Sequence, residues 1–369
     1  MTRTRREFES NNPSEHHVAA RYWHALPDGR AQCDVCPRFC RMRDGQRGMC
    51  FVRACDDGKV VSTTYGRSSG FYIDPIEKKP LNHFLPGTPV LSFGTAGCNL
   101  ACKFCQNWDL SKSRHMDTLG EKASPENIAN AAREHGCESV AFTYNDPIVF
   151  LEYAIDTAAA CHEHGIKTVA VTNGEVCAKP REEFFAHIDA ANVDLKAFTD
   201  RFYRILCGGR LGPVLDTLVY LRHHTDVWFE LTTLVIPGEN DSDEELNAMT
   251  GWVVNELGPD VPMHFTAFHP DWKLLDRPPT SAATLERARQ IAIDNGVRYA
   301  YTGNIHHEEG DSTLCHACGG KLIGRDRYVL KKWNLTVDGC CNSCGARCAG
   351  VFAPQPGDWE SRRMPVQIH

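Results

Sequence analysis

Between residues 89 and 302 the chain alternates short apolar runs with longer segments of helical period. Runs at 89–93, 139–144, 167–172, 192–197, 227–235, 262–268 and 298–302 are rich in Val, Ile, Leu, Phe and Ala and bounded by turn residues, so they read as buried strands. Segments 125–135, 149–164, 181–190, 211–223, 242–256 and 282–295 carry the helical pattern, the first with Ser124 as its N-cap. Repeated strand–helix units imply right-handed crossovers and a parallel sheet. So many units approach a barrel, complete or partial. In a barrel the C-terminal strand ends share one mouth, so polar residues recurring there become candidates for chemistry.

The flanks differ. Residues 1–20 are polar and read as a mobile tail. Segment 74–87, DPIEKKPLNHFLPG, has too much Pro and Gly for a long regular element. Its Lys78, Lys79 and His83 precede the 89–93 strand, where they either approach a site or form a solvated turn.

Composition narrows the classes. The 369 residues can bury a large core, and a net charge of −7 gives no basic field toward nucleic acid. The Arg3, Arg5 and Arg6 cluster reads as part of a solvated tail. No stretch reaches the ~20 apolar residues of a membrane span, and the N-terminus has no signal-peptide apolar region, so a cytoplasmic protein is expected. There thiols stay reduced, and 18 cysteines then argue for metal sites over disulfides.

The cysteines gather in three places. Cys98, Cys102 and Cys105 follow the 89–93 strand in a Cys-x3-Cys-x2-Cys loop, where Gly94 and Gly97 permit tight turns. Four cysteines complete a 4Fe–4S cluster, whereas three leave one iron open to bind a small molecule. Cys33, Cys36, Cys40 and Cys50 suit a four-thiolate site for zinc or a second iron–sulfur cluster, with Cys55 a substitute ligand. Cys315, Cys318, Cys341 and Cys344 form two Cys-x2-Cys knuckles around a strand-rich stretch and suit a closed zinc site, with Cys340 and Cys348 as rivals for the second pair. The basic residues of that stretch, Lys321, Arg325, Arg327, Lys331 and Lys332, read as a solvated face first, with contact to a nucleic acid or an acidic partner as the alternative.

The three-cysteine loop, with Phe104 before its last cysteine, resembles the signature of radical S-adenosylmethionine (SAM) enzymes. That resemblance implies an α/β fold, a partial (β/α)6 TIM-like barrel with a cysteine-rich N-terminal extension and a C-terminal zinc-ribbon-like module. It implies that the open iron chelates SAM and that an electron releases a 5′-deoxyadenosyl radical. It also assigns roles. Asn145 and Asp146 look like the segment receiving the methionine amino group, Asn173, Asp194 and Lys196 look like the residues near ribose and carboxylate, and backbone at Val235–Gly238, Ile236 included, would meet adenine. Cys207 reads as a hydrogen-atom donor or substrate contact, or else as an inert buried cysteine.

Motif order over residues 30–352 is similar to the AmmeMemoRadiSam-system radical SAM enzymes, relatives of the pyruvate formate-lyase activases. The implied partners are Memo-like and AMMECR-like proteins and an electron donor of flavodoxin or ferredoxin type. The implied plan is a tail (1–20), an extension (21–88), a radical SAM barrel (89–308), a ribbon (309–352) and a second tail (353–369). Two alternatives to an enzyme acting on an unidentified substrate are a glycyl-radical enzyme activase and a non-enzymatic iron–sulfur and zinc carrier or scaffold.

Overall fold

The computed structural model describes residues 17–112 and 119–368. The Arg3, Arg5 and Arg6 cluster and most of the 1–20 segment lie outside them. Within that segment Val18–Ala19 is not a loose tail, because it pairs antiparallel with Lys59–Ser62.

One nine-stranded sheet organises the molecule. In chain order its strands are β1 (Phe71–Pro75), β2 (Pro89–Phe93), β3 (Ser139–Phe142), β4 (Lys167–Thr172), β5 (Ala190–Asp194), β6 (Trp228–Val235), β7 (Met263–Ala267), β8 (Ala300–Gly303) and β9 (Met364–Val366). Strands β2 to β8 are parallel and lie side by side in sequence order. Strand β1 joins β2 antiparallel, and β9 joins the outer edge of β1. The sheet is open: among the described residues β8 and β9 are its two edges.

The sequence pattern works here because the central parallel strands are buried on both faces, so both sets of alternating side chains are apolar or engaged. Residues Ser139 to Phe142 and Met263 to Ala267 are buried throughout. The covering helices are α1 (Pro125–Glu134), α2 (Leu151–Glu163), α3 (Ala178–Phe185), α4 (Leu211–His224), α5 (Asp243–Trp252) and α6 (Ala282–Asp294). Ser124, Ser242 and Ser281 cap α1, α5 and α6 by accepting the amide N–H three residues on, each bond satisfying one orphan donor. Helix α3 begins three residues before the predicted start, with Pro180 in its first turn, where a missing N–H costs nothing.

Two appendages grip the sheet. Upstream of β1, short antiparallel strands build the cysteine-rich extension. Its Arg53 pairs with Glu152 of α2 at 2.7 Å, both side chains buried. After β8, a three-stranded antiparallel unit (Thr313–Leu314, Lys321–Asp326, Val329–Trp333) carries the knuckles. Tyr301 of β8 and Tyr299 just before it pack in its apolar cluster with Leu322, Ile323 and Leu335. His83 fastens this unit from below, with Nε2 on the Tyr301 hydroxyl and Nδ1 on the Ala349 carbonyl.

Candidate active site

Strand β2 ends at Phe93, and the cysteine loop leaves its C-terminal end. Gly94 and Gly97 are required by close approach. A Cβ on Gly94 would stand 2.2 Å from the Thr143 carbonyl oxygen, and one on Gly97 1.9 Å from that of Cys50. Gly97 also has φ +79°, a left-handed conformation costly for other residues. Asn145, just beyond β3, clamps the loop. Its Oδ1 accepts from Thr95 N–H (3.0 Å), and its Nδ2 donates to the Gly97 carbonyl (2.8 Å).

Cys98, Cys102 and Cys105 open on one cavity of about 420 Å³. Phe104, Asn145, Asp146, Asn173, Asp194 and Lys196 line the same cavity. Strands β2 to β5 therefore deliver every one of these candidates to one end of the sheet. Two candidates fall elsewhere. Ile236 does not line the cavity; it is fully buried, and in the turn that follows β6 its N–H is bonded to Asn240 Oδ1 at 2.7 Å. Thr232 and Leu234 of β6 line the cavity instead. Cys207 is buried behind the wall, on the π-helical turn Tyr203–Cys207, and its carbonyl accepts from Ala101 N–H at 2.8 Å.

Several polar candidates are engaged with protein. Asp146 Oδ1 accepts from Ile148 N–H, while Oδ2 accepts from Asn173 N–H (2.7 Å) and the Thr172 hydroxyl (3.0 Å). Burial pushes its carboxyl pKa up despite these bonds. Asn173 Nδ2 donates to Asn99 Oδ1 at 2.8 Å. These side chains shape the wall, which leaves their backbone and the Asp194–Lys196 pair to meet a ligand. Lys196 Nζ donates to Asp194 Oδ2 at 2.7 Å. Burial opposes its charge, but Asp194 and the nearby Cys102 and Cys207 sulfurs outweigh that and raise its pKa.

The thiols differ. Burial raises Cys98 to about 12. The Cys207 thiol beside Cys102 outweighs burial and, with Lys196 and Lys112, lowers the Cys102 pKa. Cys105 Sγ lies 3.0 Å from the Ser111 hydroxyl.

The wall includes residues that sequence reasoning passed over: Ser111, Lys112, Thr232, Leu234, Thr266, Asn304 and Tyr328. The signal for Thr232 and Leu234 is the period of two along β6, which puts them on one face. Lys78 and Lys79 do reach the cavity, anchored by Asp74 at 2.8 and 2.7 Å. Burial outweighs Asp74 and lowers Lys79 to about 8. His83 does not reach it.

The other two cysteine groups are also assembled. Cys315, Cys318, Cys341 and Cys344 bring their Sγ atoms within 4.8 Å of one another. Cys348 is buried away from them, 3.8 Å from His83 Nδ1. Cys33, Cys36, Cys40 and Cys50 line one small cavity against the back of the 98–105 loop, and Cys55 is not in its wall.

The donor set fits an iron–sulfur cluster with an open iron and a polar co-ligand. Three thiols face a space with further polar groups, and Thr232 Oγ1 is buried there without a partner.

A model of the radical SAM superfamily matches residues 93–249. The chain is 39% identical over 329 residues to an uncharacterized protein of Methanocaldococcus jannaschii, covering 89% of this chain and 98% of that one. It is 22% identical to the 4-hydroxyphenylacetate decarboxylase activating enzyme of Clostridioides difficile, over 55% of this chain and 70% of that one. Among solved structures it is similar to a radical SAM methyltransferase from Sphaerobacter thermophilus, with TM-score 0.47 and 17% identity, covering 64% of this chain and 71% of that one.

Proposed function

Since the chain belongs to the radical SAM superfamily, whose members are enzymes, we propose that it reductively cleaves SAM at the β2–β6 mouth and uses the product to take a hydrogen atom from a substrate. The non-enzymatic carrier or scaffold reading is set aside by that membership. The observation that carries the proposal is the shared cavity of Cys98, Cys102 and Cys105 with Asp194, Lys196 and Thr232. Membership implies a 4Fe–4S cluster and SAM.

In this reading Cys98, Cys102 and Cys105 hold the cluster, and the bound pair supplies one-electron cleavage of the sulfonium. The chain's own residues do the rest. Asn145 fixes the loop so that three thiols present one open side. Asp146 and Asn173 hold the turns after β3 and β4, which offers backbone groups to the methionine end. Asp194 and Lys196 supply a carboxylate and an ammonium to a zwitterionic ligand, and the Thr232 hydroxyl supplies an unused hydrogen bond. Leu234 and Phe104 give apolar wall that excludes water. The sheet in this reading curls as the partial (β/α)6 barrel of the superfamily.

The finer assignment is to the AmmeMemoRadiSam-system enzymes, with Memo-like and AMMECR-like partners, a flavodoxin- or ferredoxin-type donor and zinc at Cys315, Cys318, Cys341 and Cys344. It is supported by the motif order and by the close set of those four sulfurs. A glycyl-radical activase reading draws on the likeness to the Clostridioides difficile enzyme. It requires the mouth, where Tyr328 of the knuckle unit stands, to admit a polypeptide.

The test is anaerobic reconstitution, dithionite reduction, addition of SAM and chromatography for 5′-deoxyadenosine. Cleavage is expected in the native chain and absent in Cys102→Ala. Cleavage retained in that variant overturns the assignment.

A further inference from the structure

The cavity behind the 98–105 loop holds an unusual arginine. Arg53 is fully buried, and one nitrogen, Nη2, donates to Glu152 Oε2 at 2.7 Å. Its Nε and Nη1 are buried with no partner. Buried charged donors left unbonded are expensive, on the order of 1–3 kcal/mol or more each. Arg53 lines the same enclosed space as Cys33, Cys36, Cys40 and Cys50. Sulfur carrying negative charge is the acceptor that space can offer. Four thiolates around a metal centre would carry it, because ligand cysteines bind deprotonated.

Spacing separates two kinds of centre. A single tetrahedral ion with metal–sulfur bonds of ~2.3 Å draws its four sulfurs to about 3.8 Å apart. The C-terminal group has this form, with Cys315–Cys344 at 3.6 Å and Cys318–Cys341 at 3.8 Å. No three of Cys33, Cys36, Cys40 and Cys50 come within 4.8 Å of one another, and neither do Cys98, Cys102 and Cys105. Like the cluster loop, the N-terminal group is not drawn to single-ion spacing.

It also shares a wall with that loop. Arg38, between Cys36 and Cys40, donates through Nε to the Asn99 carbonyl at 2.9 Å. Asn99 lines the N-terminal cavity, and its side chain accepts from Asn173 of the active-site wall. The Cys50 carbonyl packs on Gly97.

We propose that Cys33, Cys36, Cys40 and Cys50 ligate a second iron–sulfur cluster, completely cysteine-bound and hydrogen-bonded by Arg53, built against the back of the three-cysteine loop. The site stands independently of SAM cleavage, and its test is chosen accordingly. Full-length Cys98→Ala/Cys102→Ala/Cys105→Ala is reconstituted anaerobically with iron and sulfide and analysed for iron, sulfide, zinc and electron-spin signal. Two or four irons with matching sulfide, one zinc, and a dithionite-induced signal unmoved by SAM are expected. Two zinc per chain, a single iron without sulfide, or no iron in a folded variant overturns the proposal. In the otherwise native chain, Cys36→Ser/Cys40→Ser should lose this signal and keep a SAM-responsive one. A spectrum identical to the native one overturns it. Arg53→Gln should retain iron and titrate at a more negative potential, since a cation and two N–H donors leave the cluster. An unmoved potential removes Arg53 from the site.

Discussion

The two four-cysteine groups of this chain look alike in sequence and differ in build. The C-terminal group sits on two hairpin knuckles, half of its sulfurs exposed, and is already drawn together to single-ion spacing. The N-terminal group is spread around a small pocket whose wall is completed by the buried Arg53, by Ile148 and Val149 just before α2 and by Asn99 of the cysteine loop. One group organises its own small unit. The other is held apart by the domain around it. Local backbone turns are enough for the first; the second needs tertiary contacts.

The largest expected effect follows from that contrast. Cys318→Ser or Cys341→Ser removes a ligand from a group that assembles its own unit, so metal binding and folding of 313–348 should be lost together, a cost of several kcal/mol. Thermal unfolding with a zinc-release dye checks it; an unchanged midpoint would mean the knuckles do not depend on metal.

Next, Arg53→Met leaves Glu152 buried with one partner fewer and should cost about 3–5 kcal/mol. Denaturant unfolding measures it, and Arg53→Met/Glu152→Leu should recover much of the loss. Failure to recover would place the cost in the cysteine pocket instead of the ion pair.

Smaller is Gly97→Ala. Its Cβ would strike the Cys50 carbonyl, and φ +79° adds strain, so a loss of about 1–3 kcal/mol is expected, with impaired iron loading at the 98–105 loop. Normal iron content would mean that the two walls move independently.

Counted per pH unit, the least is a slope where Glu77 meets Arg325 of the C-terminal unit. Burial, only partly offset by Arg325 at 3.8 Å, raises Glu77 to about 7 from 4.5. Between those values the folded state holds a proton that the unfolded state has lost. The Glu77 contribution is therefore complete below about 4.5 and falls as pH rises toward 7, by at most about 1.4 kcal/mol per unit. Glu77→Gln should flatten stability over this window; an identical slope assigns it elsewhere.

These contrasts also explain what was legible. Strands β2 to β8 announced themselves because burial on two faces demands unbroken apolar runs. Strand β1 did not, because it carries Asp74, whose burial rests on Lys78, Lys79, the Tyr144 hydroxyl and Arg363, and no local pattern encodes that rescue. Cysteine spacing marked the loop and the knuckles. The roles of Asn145, Asp146 and Asn173 were harder, since sequence shows a polar residue at a strand end but not that its hydrogen bonds are already taken by the neighbouring turn. At the end of β6 the sequence pointed to Ile236, whose N–H is taken by Asn240, whereas the side chains that line the cavity from this strand are Thr232 and Leu234.

The short strand β9 has a further consequence. It covers the outer edge of β1 with Met364, Pro365 and Val366, paired to Ile73, Tyr72 and Phe71. A sheet edge with free backbone groups is a template for another copy, and a proline on the covering strand denies that copy a continuous ladder. Cutting the chain between Trp359 and Met364 would leave every cysteine and the whole cavity wall in place. It would also bare the backbone of β1, so the damage would appear as edge-to-edge aggregation while the chemistry of each molecule stayed intact.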